Sequence, residues 1–343
     1  MSELKKRISD GLEGKFKGLN NGFLRLNEFL FGFQRSVYML LGGQSGTFKT
    51  TLADYMLLNA IEDAEAQGIE FNVFYYSYEI DKISKLCNWL SVIIYKKYNI
   101  TIPPETIKGL GNNRLTKEQQ ELVDSEIEYV EKLFEKINFR FKATNPTGIY
   151  TEMWKFFSSK GKFEYEDYTD KEGNKKQKIK KYISDNPDAY NVIIIDHLLL
   201  LLKERGFTDK EIIDKTSEYM VELRNMFGCS CIFISQFNDG LTNVDRAKFK
   251  GIDLSPQMTD FKSTRNPYAD ADVVIGTMCP YKLDMTTCLG YRLDKLKSNM
   301  IMLKVIKNRL SKDNFGIGLY VNPKAGSFSE LPPPDKIRYE DYN

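Results

Sequence analysis

The stretch "GGQSGTFKTT" contains the residue types of a phosphate-binding loop. Read from Gly43, it follows the pattern G-x-x-x-x-G-K-[ST], except that Phe48 stands where the second glycine is expected, before Lys49 and Thr50. In such loops the backbone N–H groups attract phosphate oxygens, the lysine reaches the β- and γ-phosphates, and the hydroxyl contacts Mg²⁺. The stretch therefore predicts a nucleotide site, the alternative being a chance glycine-rich turn before a helix. The predicted nucleotide-binding residues are Gly43, Gln44, Ser45, Gly46, Thr47, Phe48, Lys49, Thr50 and Thr51, with Thr50 also at the metal.

Polar residues close three of the apolar runs in the chain. Asp196 ends "NVIIID", and beside a phosphate loop this acid predicts a second Mg²⁺ contact. Glu79 follows "VFYYSY" and either activates an attacking water or simply favours the start of a helix. Gln236 closes "CIFISQ" and either senses a terminal phosphate or caps a strand end. His197, the only histidine, is predicted to point away from Asp196, because neighbours on a strand alternate in direction.

Phe48 raises the question of whether the loop works. The loss of a glycine is costly only where φ is positive or where a phosphate would touch Cβ. At the entry to a helix φ can be negative, so we predict a negative φ for Phe48 and a ring turned away from the phosphates.

The elements that position these residues are apolar strands alternating with helical segments. "VYMLLGG", "FNVFYYSYE", "NVIIID" and "CSCIFISQF" are strand patterns separated by segments of helical periodicity. Continuous apolar strands of this kind predict an α/β fold with a mostly parallel twisted sheet and helices on both faces. Ligands of such sheets bind at the carboxyl ends of the strands, where Lys49, Glu79, Asp196 and Gln236 all fall.

Bulk composition excludes several classes of protein. The 343 residues are 42% hydrophobic with a net charge of +2, which is typical of a globular chain whose nucleic-acid surface would be a local patch. There is no apolar run long enough to span a membrane and no signal-peptide pattern, so we expect no membrane partner. Five cysteines without a C-x-x-C pair, and a single histidine, argue against a disulfide framework or a structural zinc site.

Taken together, the motifs resemble the RecA-like P-loop ATPase core of DnaB-family replicative helicases over most of the chain. "YYSYEI" is similar to the family's F-S-L-E-M, "IIIDHLLLL" to V-I-D-Y-L-Q-L, and "KNRLS" to K-Q-R-N-G. "DADVV" is present as in the family, whereas "ISQFND" lacks the basic end of L-S-Q-L-N-R at Asp239.

The resemblance implies a mechanism that is shared between subunits. By its motif, Glu79 is the catalytic carboxylate, and Lys307 and Arg309 reach the γ-phosphate of a neighbouring subunit, although a basic strand end at the surface would look the same. The implied cofactors are ATP and Mg²⁺. The implied partners are single-stranded DNA and further copies of the chain in a hexameric ring, with a primase or a loader as further candidates. The expected setting is the cytoplasm of a bacterium or of a phage-infected host.

Three loops match the DNA-contacting positions of such rings, at 203–210, 238–251 and 289–299. Their basic side chains predict salt-dependent contacts that do not depend on DNA sequence, although surface loops are often basic for solubility alone. The predicted DNA-binding residues are Arg205, Arg246, Lys248, Lys250, Arg292, Lys295 and Lys297.

We predict an arm at 1–25, the ATPase domain at 26–330 with an insertion at approximately 100–185, and a flexible tail at 331–343. A charged hairpin is expected around 160–182 within the insertion. Two other functions remain open: a RecA-like phage strand-exchange recombinase, and a weak ATPase that acts as a loader or structural ring.

Overall fold

One nine-stranded sheet forms the centre of the part of the chain that the structure describes. The computed structural model describes residues 3–14, 16–237 and 254–342. The helices are α1 (Glu3–Leu12), α2 (Leu24–Leu30), α3 (Lys49–Gln67), α4 (Lys82–Tyr98), α5 (Pro104–Ile107), α6 (Lys117–Glu135), α7 (Pro146–Ser158), α8 (Asp209–Phe227), α9 (Arg265–Asp270) and α10 (Leu293–Leu296). The strands are β1 (Tyr38–Gly43), β2 (Phe71–Ser77), β3 (Ile137–Arg140), β4 (Gly161–Thr169), β5 (Lys175–Ser184), β6 (Tyr190–Asp196), β7 (Ser230–Gln236), β8 (Val273–Met278), β9 (Thr287–Cys288), β10 (Tyr291–Arg292), β11 (Met300–Asn308), β12 (Phe315–Asn322) and β13 (Ser327–Glu330).

The sheet is parallel over most of its width. Its strand order is β13-β12-β11-β8-β1-β7-β6-β2-β3, and the strands from β8 to β3 are parallel, while β11, β12 and β13 pair antiparallel at one side. One buried apolar cluster joins the sheet to α3, α4 and α6, and a second joins its other face to α7 and α8. The predicted α/β fold, with a mostly parallel sheet covered on both faces, is therefore confirmed.

Side-chain caps define where several helices begin. Asp81 accepts a hydrogen bond from the backbone N–H of Ser84 at the start of α4, and Thr116 and Thr208 form capping boxes at α6 and α8. The helix that follows the glycine loop is different, because the residue before α3, Phe48, makes no side-chain cap. The first backbone N–H groups of α3 are thus left for another acceptor.

The segment between α4 and β6 adds an edge strand, three helices and a hairpin. α6 packs against α4, β3 extends the main sheet beside β2, and β4 and β5 form the predicted charged hairpin. Opposite charges face each other across this hairpin, as in the Lys178–Glu166 pair at 3.0 Å. Among the described residues, no helix is both long enough and apolar enough to cross a membrane.

The prediction of a negative φ at Phe48 is wrong. Phe48 has φ 61° and ψ 29°, in the left-handed region that side chains with a Cβ rarely adopt. Such a conformation costs about 1–2 kcal/mol per residue. The ring packs edge-on against Phe328 of β13 at 6.4 Å between centroids, and an aromatic pair of this kind returns about 0.5–1.5 kcal/mol. Long-range packing therefore holds a strained residue at the mouth of the loop.

Replacing Phe48 with glycine or with alanine separates the strain from the packing. Both changes remove the ring, but only glycine also removes the strain, so we expect Phe48→Gly to be about 1 kcal/mol more stable than Phe48→Ala. Urea unfolding of the two variants measures this difference. At a position with negative φ the order would reverse, because alanine restricts the unfolded chain more than glycine does.

Candidate nucleotide site

A polar cleft lies at the carboxyl ends of the parallel strands. The register of the sheet aligns Gly43 with Gln236 and Ser77 with Asp196, so β1, β7, β2 and β6 end at one edge. The cleft is lined by Ser45, Gly46, Phe48, Lys49, Thr50, Thr51, Glu79, Asp196, His197 and Gln236. The structure thus brings together most of the residues that the sequence predicts for nucleotide chemistry.

The glycine loop is held by close contacts that leave no room for side chains. A Cβ on Gly43 would lie 2.2 Å from Oγ1 of Thr277 and 2.5 Å from Oγ1 of Thr47, and these two hydroxyls are hydrogen-bonded to each other at 2.9 Å. Gly46 has φ 69°, which requires glycine at this turn. Thr277, on β8, was not predicted from the sequence, and it fixes the loop from the neighbouring strand.

Lys49 is held back on the loop in this structure. Its Nζ donates a hydrogen bond to the backbone oxygen of Gln44 at 2.8 Å. Burial lowers the pKa of Lys49, and the carboxylates of Glu79 and Asp196 act in the opposite direction. The ammonium therefore lies between the loop and two acids, in the position of a counter-ion for phosphate oxygens.

Asp196 is a fully buried carboxyl at the floor of the cleft. Neither Oδ1 nor Oδ2 has a hydrogen-bond partner among the described residues. Burial raises the pKa of Asp196 to about 6, and the Lys85 ammonium and the Thr50 hydroxyl oppose this rise. A buried acid without a partner is costly unless a cation or a proton compensates its charge.

The oxygen atoms at this position suit Mg²⁺. The Asp196 carboxylate and the Thr50 hydroxyl are hard oxygen donors that line the same cleft. The described residues contain no cluster of three or more His, Cys, Asp or Glu that could enclose a metal. Mg²⁺ needs no such cluster, because it is usually held by one or two carboxylates together with water and substrate phosphates.

Glu79 and Gln236 form the exposed rim of the cleft. Glu79 lies just beyond β2, in a turn that is fixed when the backbone N–H of Tyr78 donates to the backbone oxygen of Asp196 at 2.9 Å. Gln236 is the exposed last residue of β7, next to Gly43 of the loop. Both side chains are therefore free to meet a ligand that enters from solvent.

The prediction that His197 points away from the site is wrong. His197 lines the same cleft as Asp196. β6 ends at Asp196, so the alternation of a strand no longer governs the next residue. Burial lowers the pKa of His197, while Glu79 raises it and Lys49 lowers it further, which favours a neutral imidazole beside the two charged groups.

Lys307 and Arg309 lie at the opposite edge of the sheet. β11 runs antiparallel to β8, with Met302 opposite Met278 and Asn308 opposite Val273, so its last residues reach the amino end of β8. The length of β8 separates the two edges by roughly 17 Å at ~3.3 Å per residue. The basic pair therefore cannot reach the cleft of its own subunit.

Both basic side chains rest on backbone oxygens near α9. Lys307 Nζ donates to the backbone oxygens of Tyr268 and Ala269 at 3.0 and 2.8 Å. Arg309 pairs with Asp272 at 3.3 Å while its side chain remains 52% exposed. An exposed pair of this kind contributes about 0–1 kcal/mol, so Arg309 can exchange it for another anion at little cost.

The described candidates for DNA binding are exposed, but they do not form one patch. Arg205 lies in a loop attached to α7, where the backbone N–H of Thr147 donates to Glu204 at 2.9 Å. Arg292 pairs with Asp294 at 2.8 Å in a different segment, which packs against β11, and Lys295 and Lys297 follow it. Arg246, Lys248 and Lys250 lie outside the described residues.

A buried polar group beneath the cleft was also missed from the sequence. Lys85 of α4 contacts Asp54 of α3 and Tyr75 of β2, and all three side chains are buried. A signal was present, because Lys85 lies four residues before Trp89 on the apolar stripe of α4, where a charged residue implies a buried partner.

Comparisons with solved structures agree with this fold. A solved helicase ATPase domain superposes with a TM-score of 0.69 at 16% identity, covering 96% of this chain and 98% of that one. A DnaB-like replicative helicase, whose structure includes its interactions with primase, superposes with a TM-score of 0.68 at 16% identity, covering 97% of this chain and 68% of that one. Neither a scan against models of protein families nor a search of curated proteins finds a match. The predicted resemblance to the RecA-like core of DnaB-family helicases is thus confirmed in the fold that the chain adopts.

Proposed function

We propose that this chain is the ATPase subunit of a DnaB-type DNA helicase. In this proposal it forms a ring, hexameric by analogy with the family, that translocates on single-stranded DNA and hydrolyses ATP at the interfaces between its subunits. The observation that carries the proposal is the division of the candidate residues between two edges of one sheet.

The first half of the proposed site is the cleft at the carboxyl edge. Its proposed ligand is ATP, with the phosphates on the glycine loop and on the uncapped start of α3. Lys49 would leave the backbone oxygen of Gln44 and pair with the β- and γ-phosphates. Thr50 and Asp196 would hold Mg²⁺, which when bound neutralises charge on the phosphate oxygens.

The cleft also contains a base for the attacking water. Glu79 is exposed at the rim, so its carboxylate can accept a proton from a water molecule beside the γ-phosphate. Gln236, on the neighbouring strand end, is suited to contact the same phosphate and to pass its state to the loop that follows β7.

The second half of the proposed site comes from a neighbouring subunit. Lys307 and Arg309 lie too far from the cleft of their own chain, and Arg309 is exposed and weakly held. A cation supplied in trans stabilises the transition-state charge and contributes about 10³–10⁵ in rate in related phosphate-transfer systems. Turnover would then depend on assembly.

The proposal is tested by coupling of ATP turnover to DNA. We expect single-stranded DNA to increase ATP hydrolysis and the protein to separate a forked duplex in the presence of ATP and Mg²⁺. The Lys49→Ala variant should lose both activities, because the bound phosphates would lack their main counter-ion. A colorimetric phosphate assay and a fluorescent fork measure the two activities in parallel.

Three outcomes would contradict the helicase assignment. Strand exchange between homologous duplexes without fork separation would favour the recombinase. Nucleotide binding with little turnover, with or without DNA, would favour a loader or structural ring. A Lys49→Ala protein that still hydrolyses ATP would remove the cleft from the mechanism altogether.

Removing the guanidinium of Arg309 tests the contribution in trans. Arg309→Ala should reduce ATP turnover by about 10³-fold or more while nucleotide affinity stays within a few-fold of the unmodified protein, because the residue does not reach its own cleft. Steady-state hydrolysis and titration with a fluorescent nucleotide analogue measure the two quantities.

Lys312→Ala is the matched control for Arg309→Ala, since Lys312 is an exposed basic residue three positions further along the same turn. The control should hydrolyse ATP normally. Equal losses in the two variants, or normal turnover in Arg309→Ala, would show that the reaction does not use Arg309 in trans.

A further inference from the structure

Lys85 is a fully buried lysine close to the candidate nucleotide site. Its Nζ donates to Oδ1 of Asp54 at 2.8 Å and to the hydroxyl of Tyr75 at 2.9 Å, and it lies 4.1 Å from the centre of the Tyr75 ring. The Tyr75 hydroxyl in turn donates to Oδ1 of Asp54 at 2.9 Å. We call these three side chains the buried triad.

Each member of the buried triad lies on an element that carries a residue of the cleft. Asp54 follows Thr50 by four residues on α3, one turn below it on the same face. Tyr75 precedes Ser77 by two residues on β2, and Ser77 is in register with Asp196. The triad therefore lies one layer beneath the proposed metal position.

Lys85 is also the member that joins α4 to this layer. α4 begins after a short turn that contains Glu79, and Asp81 caps the helix by accepting a hydrogen bond from the backbone N–H of Ser84 at 3.0 Å. Lys85 follows in the next turn of the helix. The position of the Glu79 turn thus depends on how the first turns of α4 are fixed against α3 and β2.

The triad does more to define geometry than to add stability. Buried ion pairs can often be replaced by apolar side chains of similar volume with no loss of stability, because desolvation offsets most of their attraction. Their hydrogen bonds nevertheless fix the direction and distance between the elements that they join. Apolar packing at the same place would tolerate small shifts of α4.

We propose that Lys85 is a positioning residue for Glu79. By bonding to Asp54 and Tyr75, it fixes the start of α4 to the helix of the phosphate loop, and so holds the Glu79 carboxylate at the distance that the attacking water requires. This inference rests on the proposed ATPase function, and it concerns the orientation of Glu79 rather than the binding of nucleotide.

The test uses a variant in which the whole triad becomes apolar. Lys85→Met alone leaves Asp54 buried without its cation and is expected to be unstable, so the changes Asp54→Leu, Tyr75→Phe and Lys85→Met are combined in one triple variant. We expect the triple variant to unfold at nearly the same urea concentration as the unmodified protein. We expect its kcat for ATP to fall about 10- to 100-fold, as for small misplacements of catalytic groups, with fluorescent-nucleotide affinity unchanged.

A matched control comes from the other end of the same helix. Lys96 also ties α4 to α3, through Glu62 at 2.6 Å and Asn59 at 3.0 Å, but it lies about three turns beyond Lys85, on the side away from Glu79. Lys96→Met should therefore keep normal kcat. A similar fall in kcat for Lys96→Met would overturn the inference, since general attachment of α4 would then be sufficient.

Combination with Glu79→Gln shows whether the triad acts through that residue. Once the carboxylate is gone its position no longer matters, so we expect the triple variant to lower the residual turnover of Glu79→Gln by less than about two-fold. A full 10- to 100-fold further loss would overturn the inference, and so would normal kcat in the triple variant on its own. Normal turnover in Glu79→Gln alone would instead overturn the assignment of the base in the proposed function.

Discussion

The structure depends on the alignment of a buried carboxylate with a glycine loop at one edge of a parallel sheet. Asp196 ends β6 with no hydrogen bond to either carboxylate oxygen from the described residues, and the loop that follows β1 leaves the start of α3 uncapped. One feature lacks a cation and the other lacks an anion. A nucleotide phosphate with Mg²⁺ supplies both charges at once, so the cost of leaving these groups without partners is recovered when the ligand binds.

The same sheet separates the basic strand end from this edge. β11 runs against the parallel strands, so Lys307 and Arg309 emerge at the amino end of β8. The arrangement makes a single chain an incomplete catalyst under the proposed mechanism, because binding and charge stabilisation belong to different edges. Head-to-tail contact between copies would bring the two edges together and would link hydrolysis to the state of the ring.

The sequence was sufficient for features that depend on local pattern, and it failed where distant contacts decide. Apolar runs that end in polar residues correctly predicted the strands and the edge at which Lys49, Asp196 and Gln236 meet. Phe48 was assigned the wrong φ because its strain is offset by Phe328, a partner far along the chain that no local pattern reveals. His197 was misplaced because the rule of alternation was applied one residue beyond the end of the strand.

The account is tested most directly by mixing two variants that are each inactive for a different reason. Lys49→Ala lacks a working cleft but keeps Arg309, whereas Arg309→Ala keeps its cleft but lacks the cation for its neighbour. If the two edges meet between subunits, an equal mixture should recover ATP turnover at those interfaces where an intact cleft faces an intact Arg309, about a quarter of them under random assembly. A mixture that assembles with nucleotide and DNA, yet hydrolyses no more ATP than either variant alone, would contradict the account.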